Sequence, residues 1–113
     1  MQSAPCSVIR VIDGDTADLD CGAGVERVRL VGFDTPEKGG ARCRDEYQRA
    51  LAAERHLRGL LSAGEVRAER QGVDRYGRVL ARVSAGGEDV AAAMIAGGHA
   101  RAYAGGVRQG WCA

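Results

Sequence analysis

The sequence predicts a mainly β, α+β domain in which five strands close a small barrel and two short helices pack beside it. Three observations carry that prediction. The chain has 113 residues, the length of one domain, since domains commonly run to about 100–150 residues. Three β-rich runs separated by turn residues fill its first third. An amphipathic helical pattern then divides them from two further β-rich runs and a second helix. Residues 1–113 therefore read as a single domain.

The elements follow in order. Ser7 to Ile12 (SVIRVI) is the first strand, and Asp13-Gly14 is a two-residue hairpin signal. Thr16 to Cys21 returns, Gly22-Ala23-Gly24 turns again, and Val25 to Val31 is the third strand. Alternation puts Val28 and Leu30 on one face of that strand and Arg27 and Arg29 on the other. Gly32 to Arg44 reads as a loop. Asp45 is positioned to cap a helix, with Gln48 as its reciprocal partner. Residues 46–62 carry Tyr47, Ala50, Leu51, Leu57, Leu60 and Leu61 at helical spacing, and Gly64 closes the helix. Glu65 to Arg70 and Arg78 to Ser84 are strands on either side of a turn at Gly72 to Gly77. Asp89 to Ala96 is the second helix, stopped by Gly97-Gly98, and the residues beyond read as Gly-rich and irregular. This order suggests the five-stranded oligonucleotide/oligosaccharide-binding (OB) barrel. An open α+β sheet fits the same pattern nearly as well.

Hydrophobic residues make up 45% and charged residues 27%, a globular balance that excludes a disordered chain. Aromatics are 4%, so aliphatic side chains must fill the core. The net charge is +1, and Lys38 is the single lysine among 16 cationic residues. That excludes a polybasic coat or tail, so nucleic-acid binding would need a local basic site rather than a global field. The longest apolar run, Val90 to Ala96, is far short of the roughly 20 residues of a membrane helix, and no membrane partner is expected.

Cys6, Cys21, Cys43 and Cys112 show no C-x-x-C pairing, which argues against zinc and for disulfides formed in an oxidising compartment. With Asp13-Gly14 as the turn, Ile12 pairs with Asp15 and the ladder sets Cys6 opposite Cys21, within disulfide reach. Cys43 is then left for Cys112. A periplasmic or secreted location is expected, with any signal peptide lying outside this chain.

Three charged clusters adjoin turns: Asp13-Gly14-Asp15-Thr16, Asp34-Thr35-Pro36-Glu37, and Asp74-Arg75-Tyr76-Gly77-Arg78. A meander can bring Asp15 and Asp34 together, and two carboxylates with a backbone carbonyl make a hard-oxygen site suited to Ca²⁺. An EF-hand loop starting at Asp13 is excluded, because its twelfth position is Gly24 rather than Glu. An aspartyl-phosphate enzyme built on DGDT would need a larger strand–loop–helix domain.

Read together, VIDGDT at 11–16, RVRLVGFDTPE at 27–37 and DRYGRVLA at 74–81 resemble the staphylococcal nuclease-like (thermonuclease) family, in order and in spacing, from about Val8 to Tyr103. The resemblance implies an OB barrel carrying a Ca²⁺-dependent phosphodiesterase active on DNA and RNA. It implies Asp15, Asp34 and the Thr35 carbonyl as metal ligands and Glu37 as general base for the attacking water. Arg29 and Arg78 match its phosphate-binding arginines, and Tyr76 and, more loosely, Tyr103 its nucleotide-flanking aromatics. The family's type member continues into a long helix where this sequence reads Gly-Gly-Val-Arg-Gln-Gly-Trp-Cys, so that helix is expected to be absent and Cys112 to clamp the tail instead.

The chemistry stands without the label. Phosphodiester oxygens repel a nucleophile, and a divalent cation with two guanidinium groups would neutralise the charge that grows at phosphorus. A carboxylate within reach of a water can take its proton. Two other readings compete: a noncatalytic OB module that binds single strands or a protein, and a disulfide-stapled exported domain without a nucleic-acid role. The presence of all five charged residues favours the enzyme, acting as a monomer on single-stranded DNA or RNA. His56 and His99 read as boundary and loop residues, and Trp111 as an aromatic that packs down the tail.

Overall fold

The computed structural model describes residues 3–112. The elements run β1 (Ala4–Asp13), β2 (Thr16–Asp20), β3 (Val25–Leu30), β4 (Gly32–Asp34), α1 (Arg44–Leu61), β5 (Val66–Val73), β6 (Val79–Ala85), β7 (Glu88–Asp89), α2 (Val90–Ala96) and β8 (Arg101–Tyr103). Strands pair in the order β3-β2-β1-β5-β6, and a parallel β3–β6 pairing through Val28↔Val79 and Leu30↔Ala81 closes the ring. That closure selects the five-stranded barrel over the open sheet. The two-residue β7 turns back to pair antiparallel with the end of β6.

Alternation works as the sequence implies. Val28 and Leu30 are buried in the barrel, as are Ala17 and Leu19 on β2 and Ala81 and Val83 on β6. Helix α1 covers one mouth with Ala50, Ala53, Leu57 and Leu61. Tyr47, expected on that stripe, is exposed instead. Helix α2 adds Val90, Ala91 and Met94 to the same core.

The first hairpin departs from expectation in a useful way. Its turn residues are Gly14 and Asp15, because Asp13 pairs with Thr16. Two register shifts in β1, between Val11 and Asp13 and between Val8 and Arg10, then slide the ladder until Ser7 faces Asp20. A one-residue bulge flips every later side chain to the other face, and a second restores it. Cys6 thus still meets Cys21, and the two are bonded with Cα atoms 4.0 Å apart. Cys43 is bonded to Cys112, Cα atoms 6.2 Å apart.

That second disulfide also resets the helix start. Cys43 is held extended and its sulfur accepts the N–H of Glu46, so Cys43, not Asp45, caps α1. Asp45 moves into the first turn, where its charge faces the positive end of the helix dipole and pairs with Arg49 at 2.9 Å. Gln48 has no reciprocal capping role. At the far end Ser62 caps the helix by donating its N–H to the Arg58 carbonyl, while Gly64 packs against Gly86.

Two stretches read as irregular also pair. β4 and β8 form a short antiparallel ribbon with Gly32↔Tyr103 and Asp34↔Arg101. Gly32 makes the step from β3 into that ribbon at φ +98°, and a Cβ there would lie 2.8 Å from the Arg82 guanidinium. After Tyr103 the described residues form no helix.

Candidate active site

The site is assembled from three turns at one end of the barrel. Gly14 lets the first turn sit against the others: a Cβ there would lie 2.9 Å from Thr35 Oγ1 and 3.0 Å from Ala53 Cβ. This glycine is chosen for space, since its φ is not in the left-handed range. The packing sets Asp15 beside Thr35, whose Oγ1 is 3.5 Å from Asp15 Oδ2. Thr16 Oγ1 donates to Asp15 Oδ1 over 2.8 Å. Burial and the charge of Asp15 push the neighbouring Asp13 carboxyl up to about 6.

Arg29 pairs with Thr16 across the β2–β3 ladder, which brings its guanidinium back over the turn. Its Nη2 lies 3.6 Å from Asp15 Oδ2 and donates to the Phe33 carbonyl over 3.0 Å, while Nη1 donates to the Leu30 carbonyl. Only 12% of the side chain is exposed, so it is clamped before any ligand arrives. Arg78 is held differently. Asp74 Oδ1 accepts the N–H groups of Tyr76 and Arg78, and Asp74 Oδ2 takes Arg78 Nε at 2.7 Å. Those bonds outweigh burial and hold the Asp74 carboxyl below its ordinary range. Arg78 Nη1 then lies 3.5 Å from Thr16 Oγ1, one hydroxyl away from Asp15.

The third turn carries Asp34, Thr35 and Glu37. Its scaffold is Glu46, a buried carboxylate on α1 that accepts the N–H of Arg42 over 2.9 Å and of Glu37 over 3.0 Å. These bonds lower the Glu46 pKa in the order Arg42, then Glu37, against the opposing effect of burial. Lys38 turns away, donating to the Ile12 carbonyl over 3.0 Å and pairing with Glu54.

Asp34 is buried, and its Oδ1 accepts no well-aligned hydrogen bond although Arg108 Nη2 lies 2.6 Å away. The same Nη2 donates to the Thr35 carbonyl over 3.1 Å, and Arg108 Nη1 donates to Glu37 Oε1. Burial disfavours the Arg108 charge, but Glu37 and Asp34 outweigh it and raise the pKa above that of an ordinary arginine.

Arg29 and Tyr103 share the wall of an open cleft of about 430 Å³ with Val31, Leu80 and Arg82. Tyr103 is turned by a 2.7 Å hydrogen bond from its hydroxyl to the Gly106 carbonyl. Tyr76 is not part of that wall. It projects from the Asp74 turn, 70% exposed, with the Arg75 and Arg78 guanidinium groups 5.0 and 5.9 Å from its ring centre.

A family model described as staphylococcal nuclease homologue matches residues 27–110. The chain belongs to the staphylococcal nuclease homologue family. It is 36% identical to the micrococcal nuclease of Shigella flexneri over 85% of this chain and 56% of the relative. It is 40% identical to the thermonuclease of Staphylococcus intermedius over 84% of this chain and 57% of that protein. Protein ParB of Escherichia coli is 37% identical, with 85% of this chain and 55% of the relative covered. The chain thus spans just over half the length of these relatives. The family match includes Arg29, Asp34, Thr35, Glu37 and Arg78 and begins after the turn that carries Asp15.

The sequence assigned no role to three residues that shape this site, although Asp74 stands in the third charged cluster. Glu46 and Asp74 hold the Glu37 loop and Arg78 in place, and Arg108 enters the acidic cluster from the tail. For Arg108 the available signal was Cys112, four residues on, whose bond to Cys43 brings the tail to the start of α1. Of the residues expected to be bland, Trp111 is buried under the tail with Arg101 stacked 3.7 Å above its ring. His56 and His99 stack between α1 and α2, centroids 4.5 Å apart.

Proposed function

We propose that the chain is a Ca²⁺-dependent phosphodiesterase that hydrolyses DNA or RNA, acting as a monomer on single strands in the periplasm or outside the cell. The observation that carries this reading is the gathering of Asp15, Arg29, Thr35 and, through Thr16, Arg78 at one end of an OB barrel, in a family whose relatives are named nucleases. The two disulfides and the relationship to a thermonuclease support the exported location.

The donor set suits a hard cation. Asp34 offers a buried oxygen that lacks an aligned hydrogen bond, with the Thr35 carbonyl on the same Arg108 nitrogen and Asp15 beside the Thr35 hydroxyl. Among the described residues no three Asp, Glu, His or Cys side chains form a ready cage. Asp15, Asp34 and Thr35 would therefore hold Ca²⁺ with water completing the six to eight oxygens it takes. When bound, the ion would supply a positive charge against the phosphate.

The remaining work falls to the chain. Arg29 and Arg78 hold the phosphate oxygens, bidentate groups whose positions are already set by Phe33 and Asp74. Their charge is worth most as the phosphorus becomes five-coordinate, which lowers the barrier rather than merely tightening binding. Glu37 takes a proton from the attacking water. Tyr76 presents a stacking face to a base, and Tyr103 borders the cleft that adjoins Arg29.

The pairing of Glu37 with Arg108 favours a second reading, a noncatalytic module that binds the strand without cutting it. One assay separates the two. Single-stranded DNA and RNA are incubated with the protein in Ca²⁺, with chelator, and with Glu37→Gln. Cleavage abolished by chelator and depressed by the variant supports the enzyme. Binding without cleavage in every condition selects the module.

A further inference from the structure

The geometry points to Arg108 as an internal cation that occupies the Asp34–Thr35–Glu37 cluster and must leave before Ca²⁺ can enter. The inference rests on the metal reading above and deepens it. The guanidinium contacts a carboxylate oxygen of Asp34 at 2.6 Å, the Thr35 carbonyl at 3.1 Å, and Glu37 Oε1. Two of those three oxygens are proposed metal ligands, and the third belongs to the proposed base. A guanidinium and a divalent ion cannot both hold Asp34 Oδ1 and the Thr35 carbonyl, because each would take the same lone pairs and the two charges repel.

The tail is built to let go. Residues 104–110 are exposed, and Val107, next to Arg108, is 95% exposed. The strap is fastened at its ends: β8 pairs with β4 on one side, and Trp111 and the Cys43–Cys112 bond anchor the other. Arg101 Nη1 ties down the Gly110 carbonyl at 2.8 Å. Between these anchors Arg108 reaches into the site from a segment that buries no apolar side chain. Its exit costs ion pairing that a divalent ion replaces, and the anchors keep it from moving far.

Release has a second consequence. Arg108 holds Glu37 and the metal ligands with one group, so its departure frees the base at the moment the cation site opens. Metal entry and base release would be one event. A protein whose binding-competent state is only partly populated shows its intrinsic Kd divided by that fraction, so removing the competitor tightens Ca²⁺ binding.

The test is calorimetric Ca²⁺ titration of the disulfide-bonded chain as wild type, Arg108→Ala and Arg108→Gln. The glutamine variant keeps a polar side chain over Asp34 in case the alanine variant folds poorly. Both variants should bind Ca²⁺ with a Kd lower by about tenfold or more, the scale of a competitor that occupies the site nine-tenths of the time or longer. Equal or weaker binding by a folded variant overturns the role given to Arg108 and leaves the metal site standing. No Ca²⁺ binding by any of the three chains removes the metal reading and this inference with it.

Discussion

The backbone N–H of Glu37 donates to Oε2 of Glu46 over 3.0 Å, so a buried carboxylate on α1 fixes the loop that carries the proposed base. Glu46 satisfies a second N–H, that of Arg42, with its other oxygen. Glu46→Ala removes the acceptor from both donors. Glu37 is half-buried and Arg42 exposed, so water replaces part of the bonding and the cost is about 1 kcal/mol, the low end for an unsatisfied group. Urea denaturation with the disulfides intact should show a loss of that order. Nuclease turnover should fall too, since Glu37 loses its anchor. Wild-type stability in Glu46→Ala would mean the loop is held by other contacts.

Arg29 and Arg78 should each contribute to the transition state rather than to substrate binding alone. Arg29→Ala or Arg78→Ala is expected to lower turnover by roughly 10²-fold or more, the scale for removal of one preorganised donor. Asp74→Asn keeps Arg78 but weakens the grip on it, so its effect should be smaller and in the same direction. Steady-state kinetics on single-stranded DNA measures all three. Near-normal turnover in both arginine variants would exclude the proposed mechanism.

Much of this architecture was legible because it depends on local pattern. Alternation in VERVRL separated Val28 and Leu30 from Arg29, and the structure buries the first two and clamps the third beside Asp15. The clusters at 13–16 and 34–37 do meet, at Asp15 and Thr35, but through the packing of Gly14 on Thr35 rather than through a strand pairing, since 34–37 follows β4, whose partner is β8. What was not legible depends on contacts distant in sequence. The β4–β8 ribbon uses three residues from each strand, too few for a period to show. The turn shift to Gly14-Asp15 and the two bulges that compensate it leave no mark on hydrophobic spacing. Arg108 stands in a Gly-rich stretch without periodicity, and it reaches the site because the β4–β8 ribbon, Trp111 and the Cys43–Cys112 bond fix both ends of the tail.

Asp18 supplies a test by pH. Hydrogen bonds from Arg27 foremost, then the Arg27 charge and Arg10, outweigh burial and hold its folded pKa below the ordinary 3.8. The unfolded chain therefore takes up the proton first as pH falls. Asp18 adds stability in full above about pH 4, and that contribution is lost as pH drops through the folded value. The melting temperature of wild type should exceed that of Asp18→Asn near neutrality, and the gap should close below pH 3.8. A gap that stays constant across that range would mean the Asp18 charge is not what stabilises the pair.

The two disulfides should contribute unequally, and location more than loop length sets the order. Cys6–Cys21 closes a separation of 15 residues, and Cys43–Cys112 one of 69. Chain entropy gives about 3 kcal/mol for the shorter loop and about 4 kcal/mol for the longer. The difference between them is small, so location provides the stronger contrast. Cys6–Cys21 joins two strands that the barrel ladder already pairs. Cys43–Cys112 is the covalent anchor of a tail that otherwise holds by Trp111, Arg101 and Arg108. The double variant Cys43→Ser/Cys112→Ser should therefore lose more stability than Cys6→Ser/Cys21→Ser. It should also become sensitive to limited proteolysis between Ala104 and Gly110 while the barrel core survives. Urea titrations of the two variants, followed by mass mapping of the first cleavage, measure both effects. Greater loss in the Cys6/Cys21 variant, or first cuts within the barrel strands, would show that the tail is secured by its side chains and not by the long-range bond.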